Sequence, residues 1–184
     1  MPVQIGVRES DFSNPLGLLS DCHRRIEKFL GVLIQVCAEA AGSALNEGQR
    51  AALEKALTYF RESAPKHTAD EEESLFPRLR EDLTAGSALE SLKELEHDHQ
   101  AAARDHELVD SLGSEWLSFG SLAPQQRSTM QGALQRLSEL YRRHIAIEDG
   151  ELFPLAARVL NADQLRAIGG EMAERRQVMR DSER

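Results

Sequence analysis

Long apolar runs are missing from this chain of 184 residues. No stretch approaches the roughly 20 consecutive apolar residues of a membrane-spanning helix, which excludes that class. Residues Met1 to Phe12 carry Arg8, Glu9 and Asp11 and lack the apolar segment of a signal peptide, so a cytoplasmic location is expected. Cysteine is scarce as well: Cys22 and Cys37 are the two present, too few for a disulfide framework. On one continuous helix they would stand about 22 Å apart. A bridge needs Cα atoms within about 7 Å, so two reduced thiols are expected. Positive charge is also short. Twenty-two Lys and Arg against 31 Asp and Glu leave a formal net charge of −9, with no basic cluster, which argues against a nucleic-acid partner. No Gly-rich phosphate loop and no obvious nucleophile are present. The β-branched alternation of strands is rare.

What remains is a globular composition, 41% hydrophobic and 29% charged, whose apolar periodicity is helical almost throughout. Asn14-Pro15 reads as an N-cap followed by proline at the first helical position. Leu16, Leu19, Cys22, Ile26, Leu30, Leu33 and Cys37 then recur at three- and four-residue steps up to a stop at Ala41-Gly42. A second helix begins near Asn46-Glu47 with the stripe Leu53, Leu57 and Phe60. Pro65 and Pro77 each predict a kink or break in it. A third follows Gly86-Ser87, with Leu89, Leu92, Leu95, Leu108 and Leu112, and ends between Trp116 and Gly120. A fourth opens at Ala123-Pro124 and carries Leu134, Leu137, Tyr141 and Ile145 toward Phe153-Pro154. A shorter fifth, with Leu165, Ile168 and Met172, follows Asn161 and ends in a charged, fraying tail from Arg175. The expected fold is all-α: an antiparallel up-down-up-down four-helix bundle over about residues 15–160 of a single 184-residue domain. The additional short C-terminal helix, about 161–180, packs across the bundle or across a partner chain in a homodimer.

The most informative feature is an internal repeat. His67-Thr-Ala-Asp-Glu71-Glu72 leads into Leu75-Phe76-Pro77, and His144-Ile-Ala-Ile-Glu148-Asp149 leads into Leu152-Phe153-Pro154. The two copies lie 77 positions apart, and Leu19 to His23 matches Leu95 to His99 at a separation of 76. A helix pair is thus used twice, each pair giving one His from its first helix and a His plus a carboxylate from its second. Residues four apart on a helix differ by about 40° in direction, so His67 faces with Glu71 and His144 with Glu148. Imidazole with carboxylate suits first-row transition metals. Two carboxylates can bridge two ions, leaving the four imidazoles of His23, His67, His99 and His144 at two per ion. The candidate metal ligands are therefore His23, His67, Glu71, His99, His144 and Glu148.

These motifs resemble the hemerythrin-like, or HHE cation-binding, family over about residues 15–160. The resemblance rests on His23, His67-x-x-x-Glu71-Glu72-x-x-Leu-Phe-Pro, His99 and His144-x-x-x-Glu148-Asp149-x-x-Leu-Phe-Pro. It implies a four-helix bundle holding two iron ions as a non-haem di-iron centre, with two bridging carboxylates and terminal His ligands. It also implies a small partner molecule: dioxygen, nitric oxide, peroxide or iron itself. Oxygen-carrying members supply a second His four residues along the third helix, where this chain has Ala103, so a more open, reactive site is expected in place of reversible oxygen carriage. Those members also use the carboxylate five after the His, which would be Asp149, whereas the internal match to Glu71 selects Glu148. Glu72 and Asp149 are then expected to orient imidazoles.

His97 is expected on a polar face. His106 is expected beside the site or in the core, about 10.5 Å along the axis from His99. Tyr141 faces the site either as a hydrogen-bond donor or as plain core. Glu27 is expected on the surface, paired with Arg24 or Lys28. Cys22 reads as a small buried hydrophobe and Trp116 as core. The leading functional expectation is a di-iron protein that binds, senses or reduces a small oxidant. The alternatives are a non-catalytic protein of iron handling, sensing or repair, and a structural bundle with zinc or no metal. Residues 1–14 contain no Cys, which weakens the repair version.

Overall fold

The computed structural model describes residues 10–82 and 87–177, and all regular structure among them is helical. Helix α1 (Pro15–Ala40) starts under Asn14, whose side chain accepts from the Gly17 N–H at 3.2 Å. It stops where Ala41 (φ 49°) and Gly42 (φ 78°) turn left-handed. The Leu122 N–H donates to the Gly42 carbonyl at 2.8 Å, tying this end of α1 to the connection before the last long helix. Helix α2 (Glu47–Glu62) begins in a capping box between Asn46 and Gln49. The chain breaks at Ser63 just before Pro65 and restarts as α3 (Ala64–Ala69), the interruption expected from the proline. Helix α4 is Phe76–Asp82, α5 is Ser87–Phe119, α6 is Pro124–Ile147, α7 is Phe153–Val159 and α8 is Ala162–Arg175.

Four long elements close a ring: α1 packs on α2 and on α6, and α5 packs on α2 and on α6. Two apolar cores fill it. One contains Ile26, Leu33, Leu57, Val109, Trp116 and Leu137. The other contains Leu19, Phe76, Leu95, Phe153, Ile168 and Met172. Trp116 is fully buried, and its indole N–H donates to the Ser43 carbonyl at 2.9 Å. The boundary between the cores falls in every wall at a candidate ligand. His23 lies between Leu19 and Ile26, and His99 between Leu95 and Ala102; Ala64 and Leu75 flank His67 and Glu71, and Ile145 and Leu152 flank Glu148.

Helix α8 lies on the chain's own α1 and on residues 70–75 rather than standing free. Arg175 and Arg176 do not fray, contrary to expectation. Both donate to the fully buried Asp70, at 3.0 Å from Arg175 and 2.6 Å from Arg176, and Arg78 forks onto Glu171. The remaining tail, residues 178–184, lies outside the described residues. Gly169 permits this docking, because a Cβ there would stand 2.0 Å from the Phe12 carbonyl oxygen. Among the described residues, no helix is long and apolar enough to cross a membrane.

Candidate metal centre

Both His-x-x-x-Glu segments lead into a π-helical turn, Asp70–Leu75 and Glu148–Leu152. Each turn closes with a bond from a phenylalanine N–H five residues back: Phe76 to the Glu71 carbonyl, and Phe153 to that of Glu148. Pro77 and Pro154 follow at once. Proline lacks the N–H that would continue the α ladder, so the ladder is already compromised where the wider turn sits. In an α-helix, residue i+5 points about 140° away from residue i. The π-turn, closing over five residues, brings each Phe back toward the helix face of its Glu. From there Phe76 stacks on His99 with ring centroids 6.2 Å apart, and Phe153 stacks on His23 at 5.4 Å. Each aromatic thus covers an imidazole of the opposite copy. The repeated Leu-Phe-Pro tail was the sequence signal for these turns, although it predicts only a kink.

All six candidate residues converge. His23, His67, Glu71 and Glu148 form one group, and Glu71, His99, His144 and Glu148 a second, with the ligand atoms of each group within 4.8 Å of one another. The two groups share both carboxylates. His67 Nε2 stands 3.3 Å from Glu71 Oε1, and His99 Nε2 stands 3.3 Å from Glu71 Oε2. His23 Nε2 is 3.0 Å and His144 Nε2 3.1 Å from Glu148 Oε2. Glu71 and Glu148 are fully buried. Even so, both oxygens of each carboxylate and Nε2 of His23 lack a hydrogen bond of acceptable geometry. Buried polar atoms are seldom left so. Donors about 2.1 Å from a common ion and at right angles would lie about 3 Å apart, so the donor set and its spacings fit metal ions.

The other face of the imidazoles explains their orientation. Asp149 Oδ1 lies 3.1 Å from His23 Nδ1 and is held by the Ser20 hydroxyl at 2.6 Å. Glu72 Oε1 lies 2.8 Å from His99 Nδ1. Each contact crosses from one copy of the repeat to the other, and each turns Nε2 inward. Asp98 Oδ2 is 3.5 Å from His144 Nδ1, and Arg143 donates to the other oxygen of Asp98 at 2.6 Å. Among the described residues, neither His67 Nδ1 nor His144 Nδ1 has a hydrogen-bond partner.

Charge follows from this arrangement. Burial disfavours protonated His23, but Asp149, Glu148 and Glu71 outweigh it and push the group up to about 12. Burial likewise opposes protonation of His99, and Glu71, Glu148 and Glu72 raise it to about 9. Glu71 is held well below the usual carboxylate range: burial pushes it up, and the surrounding His67, His23 and His99 more than reverse that. Burial lowers His67. A cation would therefore compete with protons for these nitrogens.

Outside the cluster, His97 is exposed. Glu27 is exposed too, but Arg24 pairs with Asp21 at 2.5 Å instead. Cys22 and Cys37 are buried on α1 and unbonded to each other, and Arg25 donates to the Cys22 sulfur at 3.2 Å. His106 is in neither donor group. Its Nε2 meets the Tyr141 hydroxyl at 2.9 Å and its ring stacks on Phe60 at 4.3 Å. Burial lowers the pKa of His106 to about 4. The direct pairing of His106 with Tyr141 was not anticipated from sequence, since the two stand on different helices. Both line a cavity of about 380 Å³ that also reaches His99, Ala102 and Ala103. Ala103, where an oxygen carrier would have its further His, is exposed at the mouth.

A helical protein with two duplicated half-sites of imidazole and carboxylate around shared buried acids has, by class, the donor set of a metal-binding bundle. The model of the hemerythrin HHE cation-binding domain matches residues 14–156, and the chain belongs to that family. It is also 30% identical to an uncharacterized protein of Haemophilus influenzae over 168 residues, covering 91% of this chain and 92% of that one.

Proposed function

We propose that the chain is a non-haem di-iron protein that binds, senses or reduces a small oxidant: dioxygen, nitric oxide or peroxide. The observation that carries this reading is the sharing of Glu71 and Glu148 between two four-residue groups. Two acids common to two groups suit a pair of ions. In this assignment His23 and His67 would hold one ion and His99 and His144 the other, with Glu71 and Glu148 available to both. The ion pairs support an antiparallel up-down-up-down bundle around it. Arg136 with Asp105 and Arg143 with Asp98 run in opposite order along α6 and α5, as do Arg61 with Asp110 and Arg50 with the Leu117 carbonyl along α2 and α5.

Iron bound here would supply electrons and an electrophilic position for a small ligand. The chain's own residues do the rest. Asp149 and Glu72 fix the rings of His23 and His99, Phe153 and Phe76 keep water from them, and the cavity beside His99 admits the ligand. Ala103 leaves that approach open. The test is iron content per chain after anaerobic loading, with near-ultraviolet charge-transfer bands recorded before and after adding peroxide or nitric oxide. Two irons per chain and bands that respond are expected. An iron-free, spectrally silent protein, or one that takes up only zinc, would sink the proposal.

One observation favours a second reading, iron sensing without turnover. Arg175 and Arg176 anchor α8 to Asp70, the neighbour of Glu71. Loading at Glu71 would then be felt by the C-terminal helix. Protease protection of α8 that depends on iron, with no consumption of oxidant, distinguishes this reading from the first.

A further inference from the structure

The cavity beside His99 is far larger than a diatomic molecule requires. At about 30 Å³ per water, its roughly 380 Å³ would take about a dozen waters. It falls within the size range of pockets for organic ligands, ~300–1,000 Å³. Leu33, Leu57, Phe60, Ala64, Ala102 and Val109 give it mainly apolar walls. Among the described residues its rim carries no unpaired cation to hold an anion, because Arg61 is bound to Asp110 at 2.6 Å and the remaining rim charge is the exposed Glu107. The wall next to the polar pair is flat, since Phe60 and His106 stack with planes 25° apart.

The repeat supplies an internal control. In the first copy, the positions corresponding to His106 and Tyr141 are Leu30 and Ala64, both buried. Packing therefore does not require a polar pair at these places. The second copy nonetheless puts a hydroxyl and an imidazole into the cavity wall. They satisfy one another but not completely. A tyrosine hydroxyl has one donor and two acceptor positions. Whichever of the two donates across the 2.9 Å contact, at least one lone pair on the Tyr141 oxygen remains free to accept.

We propose that this cavity is a binding site for a small neutral phenol-class molecule: an aromatic ring lying along Phe60, with its hydroxyl donating to Tyr141. The site adds an organic ligand to the small oxidant proposed above. It does not depend on that reading, because neither His106 nor Tyr141 belongs to the donor groups.

The experiment is a fluorine-NMR titration of the full chain, as purified and with its iron content measured, using 4-fluorophenol and, separately, fluorobenzene. One saturable site is expected, with 4-fluorophenol bound about tenfold more tightly than fluorobenzene, the fold-change of one buried hydrogen bond. Tyr141→Phe should remove that preference while leaving fluorobenzene unchanged. Ala64→Leu should weaken both probes by narrowing the cavity. Ala103→Trp blocks the mouth from an exposed position and should do the same without touching the core. Equal binding of the two probes by the wild type would overturn the proposal. So would a preference that survives Tyr141→Phe, or binding indifferent to Ala103→Trp. Iron content is read independently, so failure of the di-iron reading and failure of this one are separately visible.

Discussion

The two halves of this chain are best understood against each other. Both present a His from the first helix, a His-x-x-x-Glu from the second, an acidic residue next to that Glu, and a π-turn closed by a Phe that stacks on an imidazole of the other half. Around this common set they diverge. Asp98 stands at ion-pair distance, 3.5 Å, from His144 in the second half, whereas the matching position in the first is Cys22, although neither His67 Nδ1 nor His144 Nδ1 has a hydrogen-bond partner among the described residues. Leu30 and Ala64 of the first half stand where the second has His106 and Tyr141. The comparison separates what the donor cluster demands of each half from what each half is free to vary. The cluster demands two inward Nε2 atoms, one shared carboxylate and one acid gripping a ring of the other half. Cavity lining and the far side of the second-helix imidazole are free.

The largest expected effect tests the shared part. Glu71→Ala or Glu148→Ala touches both donor groups at once, so each is expected to reduce bound iron to less than half of the wild-type content, measured by elemental analysis. A variant that loses only one of two irons would show that the groups are independent and break the comparison. Next come the crossed contacts. Glu72→Gln releases His99 and Asp149→Asn releases His23, and each is expected to weaken iron affinity about 10- to 100-fold in a competition titration. If the halves are equivalent, the two losses match. A large disparity would show that one half dominates binding.

A smaller effect is expected where the halves differ. Burial holds His106 neutral, with a pKa near 4, against about 6.5 in an unfolded chain. The unfolded state therefore binds more protons between those values. The stability that comes from keeping His106 neutral is fully present above about pH 6.5 and is lost as pH falls toward 4. The loss is on the order of 2–3 kcal/mol. His106→Leu, which copies Leu30 of the first half, removes this dependence. Its melting temperature relative to wild type should rise steadily as pH is lowered from 7 to 4.5, and a flat difference would refute the assignment. The smallest effect belongs to His97→Gln. The side chain is exposed, so unchanged iron content and a stability change within about 0.5 kcal/mol are expected.

Much of this was legible in the sequence because a repeat compares a chain with itself. The match with Glu71 selects Glu148 over Asp149, and Glu148 stands in both donor groups while Asp149 meets His23. Helix starts at Asn14, Asn46 and Asn161 were readable because capping is local chemistry. What was not legible depends on contacts between distant segments. The His106–Tyr141 pair, the clasp of Asp70 by Arg175 and Arg176, and the fork of Arg78 on Glu171 join residues 35 to 106 positions apart with no motif to announce them. The π-turns were missed for another reason: helical periodicity assumes 3.6 residues per turn, and a single wide turn falls below its resolution.

Those turns also tie the two halves to each other. A π-turn is one residue wider than the α-turn it replaces. Here the wider turn follows the shared glutamate in both copies and is followed in both by Phe-Pro. The Phe that closes each turn covers an imidazole supplied by the other copy, so neither half completes its own site.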